Sequence, residues 1–209
     1  TDLVNFARES TLNGRPLAGT WTAATLDTAA RTFRIELRVN ACGWYTLRVR
    51  AMKDGKEAGA SSVAHVGVGE VFVGAGQSNS TSCGGLGSKS PLDGRTRPVS
   101  GMVTSFDGKS WRIADDPQPG THDFKVYQFG SFWPAFGDAM AAKFKVPIGV
   151  AVTGHGGTSM AQWMKDSQEK GVKAGLFQWT LSRMNQLGRN GFRAVLWHQG
   201  EGNYGTPAQ

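Results

Sequence analysis

Ser78 stands in Gly74-Ala75-Gly76-Gln77-Ser78-Asn79, where an apolar run stops at glycines. Open α/β sheets bind ligands at the carboxyl ends of their strands, so a serine delivered there is a candidate nucleophile; the bland alternative is a Gly/Ser turn. The stretch is not a nucleophile elbow, because Asn79-Ser80 stands where that motif needs any residue and then glycine. Two more polar clusters end apolar runs in the same way. Gly154-His155-Gly156-Gly157-Thr158-Ser159 follows residues 147–153, and His198-Gln199-Gly200-Glu201-Gly202-Asn203 follows residues 194–197. A serine, glycine amides, a side-chain amide and a carboxylate are what an acyl transfer uses. The oxygen attacks a carbonyl, preorganised donors meet the oxyanion, and a carboxylate orients a histidine base.

Gly-Gln-Ser-Asn, Gly-Gly-Thr-Ser and Trp-His-Gln-Gly-Glu, in that order, resemble the SGNH-type carbohydrate esterases of the sialate O-acetylesterase-like group, over about residues 60–205. The resemblance implies Ser78 as nucleophile, with the N–H groups of Ser78 and Gly156 and the side-chain amide of Gln199 as oxyanion donors. It implies Glu201 as a triad acid. Gln77 and Asn79, on either side of the serine, are candidate substrate contacts, and Trp163, like Trp133 and Trp179, could offer a face for a sugar, with packing of helix on sheet the better reading. Other members of the wider superfamily use asparagine where Gln199 stands, and in others an aspartate just ahead of the histidine replaces the glutamate. The implied substrate is an acetylated carbohydrate, the implied setting secreted or periplasmic, and no cofactor or metal is called for. A polysaccharide such as xylan is an alternative to a sialic acid, and a non-catalytic carbohydrate-binding protein of the same fold is the rival from another class.

The base is the open question. The group carries an Asp-x-x-His block well after Gln-Gly-Glu, and Gln209 is reached without one. The expectation is therefore a sheet incomplete at its C-terminus, with the histidine supplied by a C-terminal segment or a second chain of the same precursor. His155 and His198 are the candidates within the chain, although strand alternation turns His198 away from the face that Gln199 presents. His65 and His122 read as structural or exposed.

The elements must bring the three clusters together. Val66, Val68 and residues 71–73 read as a strand buried on both faces, with Gly74 and Gly76 allowing a sharp turn and close approach of a ligand. Phe136, Met140 and Phe144, behind Pro134, form one helical stripe; Leu176, Phe177, Leu181, Met184 and Leu187 form another, closed by Gly188 and Asn190-Gly191. Strand, helix, strand, helix, strand implies a parallel sheet with all three clusters on one edge. The fold class is α/β, an SGNH-hydrolase-like (flavodoxin-like) parallel sheet over 66–209, preceded by a small antiparallel, sandwich-like β-module over 1–65. In that module Phe33, Ile35, Leu37 and Val39 alternate with polar residues, as do Tyr45, Leu47 and Val49, which predicts a hairpin turning at residues 40–43; Lys53-Asp54-Gly55-Lys56 predicts a second turn. Residues 80–130 form a long connection that either lines a site or carries short elements of its own, and Asp115-Asp116-Pro117 within it reads as a solvated loop.

Composition bounds these readings. The 209 residues, 39% hydrophobic and 19% charged, suit one large or two modest globular domains. No apolar run approaches the roughly 18 residues of a membrane span. The net charge of +7 owes much to Arg31, Arg34, Arg38, Arg48 and Arg50, which alternate with apolar residues and so coat a solvated face. No groove-reading motif points to nucleic acid, and an anionic glycan stays open. Cys42 and Cys83 are too few for a disulfide framework, and a single bridge between them is conceivable.

Overall fold

The computed structural model describes residues 2–9, 21–84, 94–126 and 128–205. Two compact units result: residues 1–69 with 145–147, and residues 70–144 with 148–209.

In the first unit, strands β1 (Asp2–Glu9), β2 (Trp21–Ala23), β5 (Trp44–Lys53) and β6 (Lys56–Gly67) form an antiparallel sheet in the order β2-β1-β5-β6, while β3 (Thr25–Asp27) and β4 (Thr32–Arg34) make a separate hairpin. The turn at residues 53–56 forms as expected. Asp54 (φ 51°) and Gly55 (φ 76°) supply the two left-handed positions that a tight hairpin demands. The hairpin expected at residues 40–43 does not form. The distant β1 takes the free edge of β5, with Asn5 opposite Arg48, and residues 35–40 lie outside any ladder. Arg31, Arg34, Arg38 and Arg48 are exposed, and the Arg50 guanidinium lies 3.8 Å from the Trp21 ring centre.

The second unit holds a five-stranded sheet of β7 (Glu70–Gly76), β8 (Val103–Phe106), β9 (Trp111–Ile113), β10 (Ile148–Val152) and β11 (Ala194–His198), in the order β11-β7-β10-β8-β9. Strands β11, β7, β10 and β8 run parallel, and β9 returns antiparallel to β8. The long connection thus carries two strands of the main sheet. The run through Val66 and Val68 is broken: Val66 belongs to β6, and β7 starts at Glu70. Val73, Val150, Ala151 and Val152 are fully buried, as central parallel strands require, each large side chain contributing about 1.5–3 kcal/mol. Arg193 closes the start of β11 onto β7 through paired hydrogen bonds of 2.7 and 2.5 Å to Glu70.

Helix α1 (Trp133–Phe144) packs through Trp133, Pro134, Gly137 and Ala141, one step around from the Phe136, Met140 and Phe144 stripe. Small residues win that face because they bring the helix close: a Cβ on Gly137 would lie 2.3 Å from the Val103 side chain. Phe136 still meets Phe72 edge-on at 5.1 Å. Helix α2 (Leu176–Gln186) follows Gly175 and ends before the left-handed Gly188 and Asn190. Its Met184, followed by Leu187, packs on Val73, Phe106 and Ala151.

Asp116 is no solvated loop residue. Its carboxylate accepts from Thr96 N–H and Oγ1 (3.1 Å each), Ser131 N–H (2.8 Å) and Oγ (2.6 Å), and Gln118 Nε2 (2.9 Å), tying the long connection to the start of α1. Both cysteines are free. Cys42 lies beside Tyr45 Oη and the buried Cys83 beside Thr81 Oγ1.

Candidate active site

The three polar clusters meet at the carboxyl edge of β11, β7 and β10, because these strands are parallel neighbours with His198 beside Gly76 and Val152 beside Gly74. Backbone bonds continue the ladder past the strands. Gln77 N–H donates to the His198 carbonyl (3.0 Å), His155 N–H to that of Gly76 (2.9 Å), and Thr153 N–H to that of Gly74 (2.7 Å). The glycines of the first cluster serve this packing. A Cβ on Gly74 would lie 2.2 Å from the Trp133 ring, and one on Gly76 (φ 127°) would lie 1.9 Å from the His198 carbonyl oxygen. Close approach is therefore to a helix and a neighbouring strand, where the sequence suggested a ligand.

Ser78 opens a single 3-10 turn, Ser78–Ser80, and is half-buried. Its carbonyl accepts from Thr81 N–H (3.1 Å) and Oγ1 (3.0 Å), and Ser80 Oγ donates to the Gln77 carbonyl (2.7 Å). Trp133 Nε1 donates to the Ser80 carbonyl (3.0 Å), so α1 props the turn from behind. Among the described residues neither the Ser78 hydroxyl nor its N–H has a hydrogen-bond partner, whereas the carbonyls of Gln77, Ser78 and Ser80 around them are all engaged.

Side chains join the first and third clusters. Asn79 Nδ2 donates to Glu201 Oε1, and Gln77, 4% exposed, accepts the Gly202 N–H at 2.8 Å through Oε1. Glu201 Oε1 also lies 3.4 Å from His198 Nε2. Gln199 Nε2 donates to the Thr158 carbonyl (2.7 Å), joining the third cluster to the second and leaving one Nε2 hydrogen over. Trp163 is buried with Ala75 and Leu176, its Nε1 donating to Thr158 Oγ1 (2.9 Å) and its ring meeting Trp197 edge-on at 5.1 Å. Of the expected substrate contacts, then, Asn79 is exposed, while Gln77 and Trp163 lie underneath and hold loops.

The second cluster meets Asp123, which sequence reasoning passed over, and His122, which it read as structural or exposed. His122 Nδ1 lies 2.8 Å from His155 Nδ1, and Gly156 N–H donates to Asp123 Oδ2 at 2.5 Å. The His122 N–H donates to the Gly154 carbonyl (3.0 Å), so residues 122–123 lie along 154–156 as a two-rung clamp. Burial holds both imidazoles below their ordinary value and pushes the Asp123 carboxyl up. Trp179 covers His122 edge-on at 5.1 Å. The only signal in the sequence was a His-Asp pair inside a connection without periodicity.

With three loops from parallel strand ends tied together around a serine, the comparisons decide the family. The profile of the carbohydrate esterase, sialic acid-specific acetylesterase family matches residues 68–209. The chain belongs to this family. A solved structure of an Arabidopsis thaliana protein aligns with 64% of this chain and 58% of its own length, at 21% identity and a TM-score of 0.48. A carbohydrate acetylesterase from Xanthomonas citri aligns with 97% of this chain and 45% of its own, at 19% identity and a TM-score of 0.47. The chain thus spans under two thirds of either protein. No curated protein matches it. Among the described residues no helix is long and apolar enough to cross a membrane.

Proposed function

We propose that the protein is a serine esterase that removes O-acetyl groups from a carbohydrate through an acyl-Ser78 intermediate. The observation that carries this is the unpartnered Ser78 hydroxyl and N–H at an edge where every neighbouring loop is tied by hydrogen bonds. Ser78 Oγ attacks the acetyl carbonyl. The developing oxyanion is met by the Ser78 N–H, by an amide of the 156–157 turn and by the free hydrogen of Gln199 Nε2, donors fixed before the reaction begins. Glu201, held by Asn79, orients the base.

In this reading the base is a histidine supplied by a further segment of the precursor or by a second chain. His122 and His155 are engaged with each other, and His65 lies on β6 of the first unit. A second reading rests on the 3.4 Å approach of Glu201 to His198, which would make His198 the base. An acetylated sialic acid and an acetylated polysaccharide such as xylan both fit this machinery, and either substrate would place the protein outside the cytoplasm or in a periplasm.

Hydrolysis of p-nitrophenyl acetate, followed by mass spectrometry of the acylated peptide, tests the reading. A burst with label on Ser78, both lost in Ser78→Ala, is the expected result; unchanged hydrolysis in Ser78→Ala rejects it. Loss of turnover in His198→Ala would favour the second base.

A further inference from the structure

Oxyanion donors must be free to turn to the acyl oxygen, and the Gly156 N–H is not free. It donates to Asp123 Oδ2 at 2.5 Å, in a position where Gly156 is buried and Asp123 is only 4% exposed. Several other groups of the turn are engaged as well. Gly154 O accepts from His122 N–H, His155 N–H donates to Gly76 O, and His155 O accepts from Thr158 Oγ1 (2.9 Å). Gly157 O accepts from Lys173 Nζ (2.5 Å), and Thr158 O accepts from Gln199. Directly after the engaged Gly156 N–H, the Gly157 N–H has no partner among the described residues; the Gly154 N–H, ahead of the clamp, and the Thr158 N–H beyond it have none either.

Gly157 also has the right surroundings. It is exposed, its φ of +65° admits glycine far more readily than other residues, and a Cβ there would meet nothing nearer than Lys173 Nζ at 3.8 Å. Open space therefore lies beside the Gly157 Cα, whereas the Gly156 N–H is directed at a buried carboxylate. Asp123 sits opposite with Oδ1 unpaired, and its neighbour His122 pairs with His155. The clamp fixes the peptide before Gly156 and, through it, the direction of the one that follows.

We infer that the second oxyanion donor is the Gly157 N–H, and that Asp123 is a positioning residue that aims it by holding the Gly156 N–H. This rests on the esterase reading above and deepens it. Asp123 touches no reacting atom; it sets the orientation of the turn whose amide does.

The test replaces single backbone amides by esters, with glycolic acid at position 156 or 157, so that an N–H is removed without a side chain being added. Loss of the Gly157 N–H is expected to lower kcat about 10²–10³-fold with KM changed less than about threefold, as for other oxyanion donors. Loss of the Gly156 N–H, and Asp123→Ala, are expected to lower kcat by roughly tenfold, and Asp123→Asn, whose amide oxygen can still accept, to restore most of it. A larger effect at 156 than at 157, or faster turnover in Asp123→Ala, overturns the inference: either result would mean that Gly156 is the donor and Asp123 only occupies it. Ser78→Ala is run alongside. If it leaves hydrolysis unchanged, the esterase reading fails and this inference falls with it; if it abolishes hydrolysis while the 156 and 157 esters behave alike, only this inference fails.

Discussion

Asn79 donates its side-chain amide to Glu201 across 122 residues of chain, tying the residue after the proposed nucleophile to the proposed acid. Hydrogen bonds to charged groups contribute about 1.5–3 kcal/mol, so this one has enough energy to set the direction of the Glu201 carboxylate. Asn79→Ala is expected to lower kcat roughly tenfold at little change in KM. Asn79→Asp should be worse near neutral pH, because it places a second carboxylate against Glu201 and removes the amide donor. Steady-state kinetics near neutral pH checks both; equal activity of the aspartate variant and the native protein would show that Glu201 is not directed by this contact.

Gly74→Ala should destabilise the second unit without touching the serine. Its methyl would lie 2.2 Å from the ring of Trp133, a fully buried side chain with no room to retreat. Overpacking of this kind costs about 1–3 kcal/mol. Thermal unfolding reads the loss, and combining Gly74→Ala with Trp133→Phe should return part of it, a coupling that a double-mutant cycle measures.

Asp116→Ala should loosen the long connection. Five donors converge on that one carboxylate; removing it returns those of exposed Thr96 to water but leaves those of half-buried Ser131 and buried Gln118 short of a partner, at about 1–3 kcal/mol for each group left unpaired. Limited proteolysis should then cut first within residues 94–120, well before the sheet opens. A cleavage pattern identical to that of the native protein would mean that the Asp116 contacts do not hold this segment.

The paired histidines predict a pH dependence of stability. With Nδ1 facing Nδ1 at 2.8 Å, one nitrogen must donate and the other accept, so the pair has no place for two protons. Burial first, then repulsion from His155, lowers His122; burial first, then Lys173, lowers His155. The unfolded chain takes up protons at the ordinary value of 6.5 while the folded chain resists. The unfolded state thus binds more protons, and stability falls as pH drops below that value. The slope is at most about 1.4 kcal/mol per pH unit for each proton. Denaturant unfolding between about pH 7 and pH 5 should be flatter for His122→Gln than for the native protein; parallel curves would contradict the pairing.

Much of the edge was legible because each polar cluster terminates an apolar run, and parallel pairing of β7, β10 and β11 then aligns their ends. The bonds between clusters were not legible, since Gln77 to Gly202 and Asn79 to Glu201 depend on register and rotamer rather than on spacing. Helix α1 misled through its large side chains: Phe136, Met140 and Phe144 mark the greasy stripe, but Gly137 and Ala141 permit the nearer approach. In the first unit a local hairpin lost to a distant strand. Residues 40–43 lack the two left-handed positions of Asp54-Gly55, and β1 was free to pair with β5. Asp123 went unnoticed because a connection without periodicity hides which of its residues turn inward.

Strand β11 has a sheet neighbour on one side only among the described residues, and both Gln199 and Glu201 follow directly from its end. An edge with no partner opens more easily than a paired one, and if β11 peels away the Gln199 amide and the Glu201 carboxylate move with it while Ser78, anchored on β7, stays behind. Backbone deuterium uptake should therefore be faster across residues 194–198 than across 70–76. In the proposed esterase the competent population would then follow the closing equilibrium of a single ribbon of five residues, a quantity that global melting does not report.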